Sequence, residues 1–317
     1  MDIQEMFRKM VEVEASDLYL TVARPPMYRV EGKIQPIGEQ KFTPDEMKAL
    51  ADSVMTERQR REFAEALEMN LAQSLPGVSR FRVNILIQRG SVSMVIRRIK
   101  ADVMSLDDLG MPSILSDITM SKRGLVLVVG ATGSGKSTTL AAMIDYRNSN
   151  EAGHIITIED PIEFVHRHKQ SIVTQREVGT DTHNFQTALK NTLRQAPDVI
   201  LIGEIRDTET MEAAITFAET GHLCLGTLHS NNANQAIERI MNFFSPERHA
   251  QMYLQLAMNL RAIASQRLIP TVDGKRVAAL EILMDTPRIR ELIKRGAVDT
   301  LKEAMQQCVQ EGCQTFD

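Results

Sequence analysis

The sequence predicts an α/β protein with two domains, a small α+β domain followed by a larger domain built on a parallel sheet. Residues 1–100 contain short runs of alternating apolar and polar side chains, which are typical of half-buried strands. From Gly124 onward, continuous apolar runs alternate with helical patterns, as in a parallel sheet covered by helices. With 317 residues, the chain is long enough for two hydrophobic cores. We expect a first domain over residues 1–100, a linker over 101–120 and a second domain over 121–317.

The first domain should contain several strands and at least two helices. Strands are predicted at 18–22, at 80–88 and at 92–99, where apolar side chains occupy alternate positions. Residues 43–46 read Thr-Pro-Asp-Glu, which combines an N-cap, a first-turn proline and a capping-box glutamate. A helix should therefore begin there, and residues 56–59 repeat the same pattern.

The rest of the chain divides at a linker that contains a short helix interrupted by Gly110 and Pro112. Beyond it, buried parallel strands are predicted at residues 125–129, 155–158, 199–202 and 223–228. After about residue 235 the pattern predicts mostly helices, with a hairpin-like excursion marked by Pro270 and Gly274.

A phosphate-binding loop follows the first of these strands. Residues 130–137 read Gly-Ala-Thr-Gly-Ser-Gly-Lys-Ser, the GxxxxGK[ST] pattern, between a predicted strand and a predicted helix. The glycines let backbone N–H groups face phosphates, the lysine can reach the β- and γ-phosphates, and the serine can bind Mg²⁺. A glycine-rich turn that matches by chance is the alternative, and the flanking strand and helix argue against it. The expected nucleotide-binding residues are Gly130, Ala131, Thr132, Gly133, Ser134, Gly135, Lys136, Ser137 and Thr138.

Acidic residues follow two other strands of the predicted sheet. The strand at 199–202 ends in Gly203 and Glu204, a Walker B element in which glycine replaces the usual aspartate. The strand at 155–158 is followed by Glu159, Asp160 and Glu163. Ligands bind beyond the carboxyl ends of parallel strands, so these acids could serve catalysis, although solvated loop acids are the alternative. We expect Glu163 to be the base that activates water and Glu204 to be the acid beside the bound Mg²⁺. The converse assignment and Glu159 as the base stay open.

Histidines and arginines complete the set of candidates. His222 and His229 flank the strand at 223–228, and seven extended residues span roughly 23 Å, so both cannot reach one γ-phosphate. The strand-end rule favours His229 as the sensor. Arg82 and Arg97 lie on predicted strands of the first domain. They are either ordinary surface arginines or arginine fingers for a nucleotide in a neighbouring subunit, which would require an oligomer.

The composition argues against several other classes of protein. The formal net charge is −4 and aromatic residues make up 4% with no tryptophan, which disfavours a protein that stacks on nucleic acid. No apolar run approaches the ~18 residues of a membrane span, and the N-terminus has no secretory signal. Three cysteines without a CxxC pair predict neither a zinc site nor a disulfide framework. We therefore expect a cytoplasmic protein.

Together these motifs resemble the secretion-type ATPases, hexameric motors of type II secretion and type IV pilus systems. The similar stretches are the Walker A box at 130–137, the aspartate box at 158–164, the Walker B box at 198–204 and the histidine box at 222–229. The resemblance implies a PAS-like first domain, a RecA-like second domain, a homo-hexamer, and ATP and Mg²⁺ as cofactors. It also implies that Arg82 and Arg97 act in trans.

Within these ATPases the chain resembles the type IV pilus retraction ATPases of the PilT/PilU family, and more the PilU type. The resemblance implies a location at the cytoplasmic side of the inner-membrane pilus base. It implies a PilT-type ATPase and an inner-membrane platform protein as partners. Where PilT has Ala-Ile-Arg-Asn-Leu-Ile-Arg, residues 288–294 differ at three places, which fits an accessory role. Relatives continue with helix beyond Asp317. A nucleotide-bound scaffold and a RecA-like nucleic-acid translocase are the alternative functions.

Overall fold

The computed structural model describes residues 2–99 and 103–317. The chain divides into two compact units, Met1–Asp102 and Val103–Asp317. Among the described residues, no helix is both long and apolar enough to cross a membrane.

The first unit is a six-stranded antiparallel sheet with three helices. The strands have the order β3-β2-β1-β6-β5-β4. The elements are α1 (Ile3–Glu12), β1 (Asp17–Leu20), β2 (Met27–Val30), β3 (Lys33–Pro36), α2 (Pro44–Val54), α3 (Glu57–Ala66), β4 (Glu68–Leu75), β5 (Ser79–Gln88) and β6 (Ser91–Ile99).

One face of this sheet is apolar and carries the core of the unit. In β5 the alternate residues Phe81, Val83 and Ile85 are fully buried, and Phe7 of α1 stacks on Phe81 with ring centroids 4.2 Å apart. Arg82 lies between these positions and therefore belongs to the opposite face. The sequence did not predict α1, β3 or β4, although the apolar residues of α1 recur at helical spacing.

The second unit, over its described residues, is a seven-stranded sheet with helices and four short 3₁₀ turns. Its order is β13-β12-β7-β11-β10-β8-β9, parallel except for the edge strand β13. Its elements are α4 (Ile114–Thr119), β7 (Gly124–Val129), α5 (Lys136–Asn150), β8 (His154–Glu159), β9 (Ile172–Glu177), α6 (Phe185–Thr192), β10 (Val199–Ile202), α7 (Thr208–Glu219), β11 (Leu223–Leu228), α8 (Ala233–Met241), α9 (His249–Asn259), β12 (Leu260–Pro270), β13 (Arg276–Met284), α10 (Pro287–Lys294) and α11 (Leu301–Gln307).

Two predictions for this unit need correction. The linker predicted over 101–120 is wrong for residues 103–120, because Leu106, Leu115 and Ile118 are buried in the core of the second unit. Residues 101 and 102 lie outside the described residues. The hairpin-like excursion predicted at Pro270 and Gly274 is present as the antiparallel pair β12 and β13, but it spans residues 260–284, so the mostly helical pattern predicted around it is wrong there. These strands extend the sheet because β12 pairs in parallel with β7.

Candidate active site

The phosphate-binding loop joins the central strand β7 to α5. Its glycines Gly133 and Gly135 have φ angles of 76° and 89°, which other residues rarely adopt. Lys136 bends back over the loop and donates hydrogen bonds to the carbonyl oxygens of Gly130 (2.9 Å) and Ala131 (3.0 Å). Burial lowers the pKa of Lys136, and the nearby charge of Glu204 opposes that shift. The loop thus holds a buried cation where a phosphate chain would bind.

Gln266 of β12 braces this loop from the side of the sheet. Its amide nitrogen donates to the carbonyl oxygen of Ser134 (2.9 Å), and its amide oxygen accepts from Thr139 Oγ1 (2.7 Å). A Cβ atom on Gly130 would lie 2.5 Å from the Gln266 carbonyl oxygen, so glycine is required for this close approach. Sequence analysis did not single out Gln266, because no strand was predicted at its position.

The predicted acids and the sensor histidine line one pocket beside the loop. The pocket has a volume of about 330 Å³ and includes Lys136, Ser137, Glu163, Glu204 and His229. His229 Nε2 lies 3.3 Å from Glu204 Oε1. Burial and the charge of Lys136 lower the pKa of His229, and Glu204 opposes them. This histidine is therefore neutral at physiological pH, so one ring nitrogen donates a hydrogen bond and the other accepts one.

Glu159 lies in the same pocket but is engaged by neighbouring side chains. Its Oε1 accepts hydrogen bonds from Thr157 Oγ1 (2.6 Å) and from Gln175 Nε2 (3.2 Å). Burial raises the pKa of Glu159, and these hydrogen bonds oppose the shift. The two donors hold this carboxyl in the wall of the pocket.

The glycine that departs from the usual Walker B pattern has a packing reason. A Cβ atom on Gly203 would lie 3.1 Å from Glu159 Cα and 3.1 Å from the carbonyl oxygen of Ile158. Any side chain at position 203 would therefore require the backbone of β8 to shift by a few tenths of an ångström. Glu204 is the acid that this strand end presents to the pocket.

The two histidines of the histidine box lie at opposite ends of β11. His222 precedes the strand, and its Nδ1 lies 3.0 Å from Thr220 Oγ1 and 3.2 Å from the carbonyl oxygen of Phe217. His229 follows the strand and lines the pocket. The geometry thus separates the two histidines, as the length of the strand requires.

Arg82 and Arg97 lie in the first unit, on neighbouring strands. They face each other directly in the register of β5 and β6. Arg97 Nε donates to Asp17 Oδ1 over 2.8 Å, and 62% of the Arg97 side chain is exposed. The remaining predicted site residues all belong to the second unit.

His166 is a pocket residue that the sequence analysis missed. It lines the same pocket, and its buried Nδ1 has no hydrogen-bond partner among the described residues. Burial lowers its pKa to about 4, so the ring is neutral at physiological pH. Its position three residues after Glu163, in the loop that follows a strand end, was the signal that could have indicated it.

The donor set suits Mg²⁺ bound largely by phosphates and water. Ser137 and Glu204 line the same pocket, and both offer the oxygen ligands that this ion prefers. Within residues 2–99 and 103–317, no three or more His, Cys, Asp or Glu side chains form a metal cluster.

A phosphate-binding loop at the end of a central parallel strand, with acids and a neutral histidine at the ends of the neighbouring strands, defines a P-loop ATPase. Comparisons with known proteins agree. The family model described as "Type II/IV secretion system protein" matches residues 1–315. The chain belongs to this family.

Two curated relatives come from Pseudomonas aeruginosa. The type IV pilus ATPase PilU is 53% identical over 318 residues, which cover the whole chain and 83% of the relative. The retraction ATPase PilT is 45% identical, over the whole chain and 92% of the relative. Among solved structures, the pilus retraction motor PilT with bound ADP has a TM-score of 0.90 and 41% identity, over 99% of this chain and 95% of that one. The Legionella pneumophila ATPase DotB has a TM-score of 0.84 and 27% identity, over 99% of this chain and 88% of that one.

These findings confirm the predicted family and fold class. The chain is an α/β protein with a PAS-like first unit and a RecA-like P-loop second unit. They also confirm the enzyme class, ATPase.

Proposed function

We propose that this ATPase is a Mg²⁺-dependent hexameric motor that powers or assists retraction of a type IV pilus. Its role is that of a PilU-type accessory to a PilT-type ATPase. The higher identity to PilU (53%) than to PilT (45%) supports this assignment. The observation that carries it is the convergence of a phosphate-binding lysine, an acid pair and a neutral histidine in one pocket.

In this proposal each pocket residue has one task in phosphoryl transfer. Residues 130–138 hold the phosphates, Ser137 and Glu204 hold Mg²⁺ partly through water, and Glu163 accepts the proton of the attacking water. The exposed position of Glu163 in the pocket supports this role. His229, held by Glu204, senses the γ-phosphate.

The positive charge for the transition state comes from a neighbouring subunit. Lys136 is the sole Lys or Arg among the described residues that line the pocket, although phosphoryl transfer usually employs further cations. Arg82 and Arg97 would supply them in trans. The 62% exposure of the Arg97 side chain supports this role. A ring of six subunits provides such a neighbour for every site.

The accessory role rests on the surface of α10. Of residues 288–294, Arg288, Glu291 and Lys294 differ from the PilT segment, and all three are exposed. The unchanged Ile289 and Ile293 are buried. The differences therefore alter the surface and leave the packing of the helix intact. We place the motor at the cytoplasmic side of the pilus base, with the PilT-type ATPase and the platform protein as partners and without nucleic acid or membrane insertion.

Mixing two variants with strongly reduced activity tests the shared site. Lys136→Ala removes the phosphate lysine of a subunit, and Arg97→Ala removes the cation that it donates to a neighbour. When the two are mixed and allowed to exchange subunits, some sites regain both groups. We expect phosphate release above the sum of the separate rates, dependent on Mg²⁺ and abolished by EDTA. A mixture of Lys136→Ala with the double variant Lys136→Ala/Arg97→Ala is the matched control and should stay inactive. A rate equal to the sum would contradict the trans role.

A further inference from the structure

Four charged residues form one row across the sheet of the first unit. Asp17 of β1 faces Arg29 of β2 on one side and Arg97 of β6 on the other. Arg97 in turn faces Arg82 of β5. Directly opposite residues share a face of a sheet, so one carboxylate and three guanidinium groups lie side by side. Like charges that face each other, as Arg82 and Arg97 do, are unfavourable unless a counter-charge is near.

Asp17 is that counter-charge, and it is buried. Only 5% of its side chain is exposed, whereas its carboxylate contacts both flanking arginines. Oδ1 accepts from Arg97 Nε over 2.8 Å, while Oδ2 lies 3.3 Å from Arg29 Nε and accepts from Ser16 Oγ over 2.8 Å. A buried carboxylate with this many donors has a fixed position.

The two arginines beside Asp17 differ in how they are held. Arg29 also donates two hydrogen bonds to the Tyr19 hydroxyl, at 3.0 and 2.6 Å, and one to the carbonyl oxygen of Gly32 at 3.2 Å. Arg29 thus belongs to the structural support of the carboxylate. Arg97 contacts Asp17 through Nε, the nitrogen nearest to its backbone, and its side chain is the more exposed, 62% against 35%.

We propose that Asp17 is the positioning residue for Arg97. The carboxylate fixes the base of a long, flexible side chain and thereby directs the guanidinium group, while it offsets the repulsion from Arg82. The Arg97 side chain has then already lost its rotamer freedom before it contacts the nucleotide. This entropy cost no longer opposes catalysis, which is the advantage of a preorganised cation. Asp17 acts through Arg97 and touches no reacting atom. This inference rests on the trans role of Arg97 proposed above.

The test is a double-mutant cycle on the full chain, with kcat and KM measured by phosphate release. We expect Asp17→Ala to lower kcat about tenfold with little change in the KM for ATP, as for a displaced preorganised group. In the Arg97→Ala background, Asp17→Ala should lower the rate no further. Asp17→Asn keeps an acceptor oxygen and similar volume and should lose less activity. If Asp17→Ala does not fold, Asp17→Asn takes its place in the cycle. Glu62→Ala, which removes an exposed ion pair with Arg58, is the control.

The outcomes separate this inference from the proposed function. A merely structural Asp17 would lower the rate by the same factor in both backgrounds, which overturns the positioning role alone. If Arg97→Ala itself hydrolyses ATP at the wild-type rate, both the trans role and the positioning role are wrong. Loss of activity only where Arg97 is intact, and none in the Arg97→Ala background, supports the inference.

Discussion

The two sheets of this protein present their polar side chains in different ways. In the second unit every residue of β7, β10 and β11 is buried, because helices and loops cover both faces. Functional groups therefore appear only where these strands end. In the first unit, strands such as β5 bury one face and leave the other partly exposed. Charged groups there, such as Arg82, Arg97 and Asp17, lie along the strands and form a row.

This difference bears on how substitutions act. At the strand ends of the second unit, side chains reach the pocket directly, so the loss of one removes its own chemical task. In the row of the first unit, neighbours hold one another, so their effects should be coupled. Substitutions at the strand ends should therefore have larger effects than substitutions of groups that support them.

Lys136→Ala should have the largest effect. Removal of the cation from the phosphate-binding loop leaves the β- and γ-phosphate charge without its main partner in this pocket. We expect phosphate release to fall roughly a thousandfold, near the upper end for one electrostatic donor. Lys190→Ala on α6, which removes an exposed lysine elsewhere in the second unit, should leave the rate unchanged. Near-normal phosphate release by the Lys136 variant would contradict the role of the loop.

Glu163→Gln should have the second-largest effect on ATP hydrolysis. We expect the rate to fall about a hundredfold, as when a general base is lost. ATP should still bind, so the variant should retain unhydrolysed nucleotide through gel filtration. Glu238→Gln, an exposed acid on α8, is the control. Wild-type turnover by Glu163→Gln would transfer the role of base to Glu159 or Glu204, which the corresponding glutamine variants would then identify.

The contrast between the two sheets also explains what the sequence could predict. The phosphate-binding loop and its flanking strand and helix are local patterns, and the acids follow their strands directly, so the sequence alone indicated them. Strands β12 and β13 are different, because the mostly buried stretch 260–266 mixes apolar residues with Arg261, Ser265 and Gln266 and shows no alternation that would indicate a strand. Residues 260–266 form a strand because they pair with β7, which lies more than 130 residues earlier in the chain. No local sequence pattern indicates that contact.

Gln266→Leu tests whether that unpredicted strand supports the site. The change leaves the carbonyl oxygen of Ser134 and the hydroxyl of Thr139 without their partner at a buried position. We expect a loss of about 2–3 kcal/mol in the free energy of unfolding, from two unsatisfied groups. ATP affinity, measured by calorimetry, should fall as well, because the loop is no longer braced. Gln186→Leu, at an exposed position on α6, should change neither quantity. Unchanged ATP affinity in the Gln266 variant would separate β12 from the site.

His166 gives the smallest expected effect, which depends on pH. Its pKa is about 4 in the folded chain and about 6.5 when unfolded. Between these values the unfolded chain binds more protons, so the stabilising contribution of His166 is complete above pH 6.5 and is lost as the pH falls through 4. Between pH 7 and 4.5, wild type should lose roughly 2 kcal/mol more free energy of unfolding than His166→Gln, after allowance for partial exposure. The exposed His183→Gln variant should follow wild type. Parallel pH curves for wild type and His166→Gln would mean that this histidine is solvated and charges freely in the pocket.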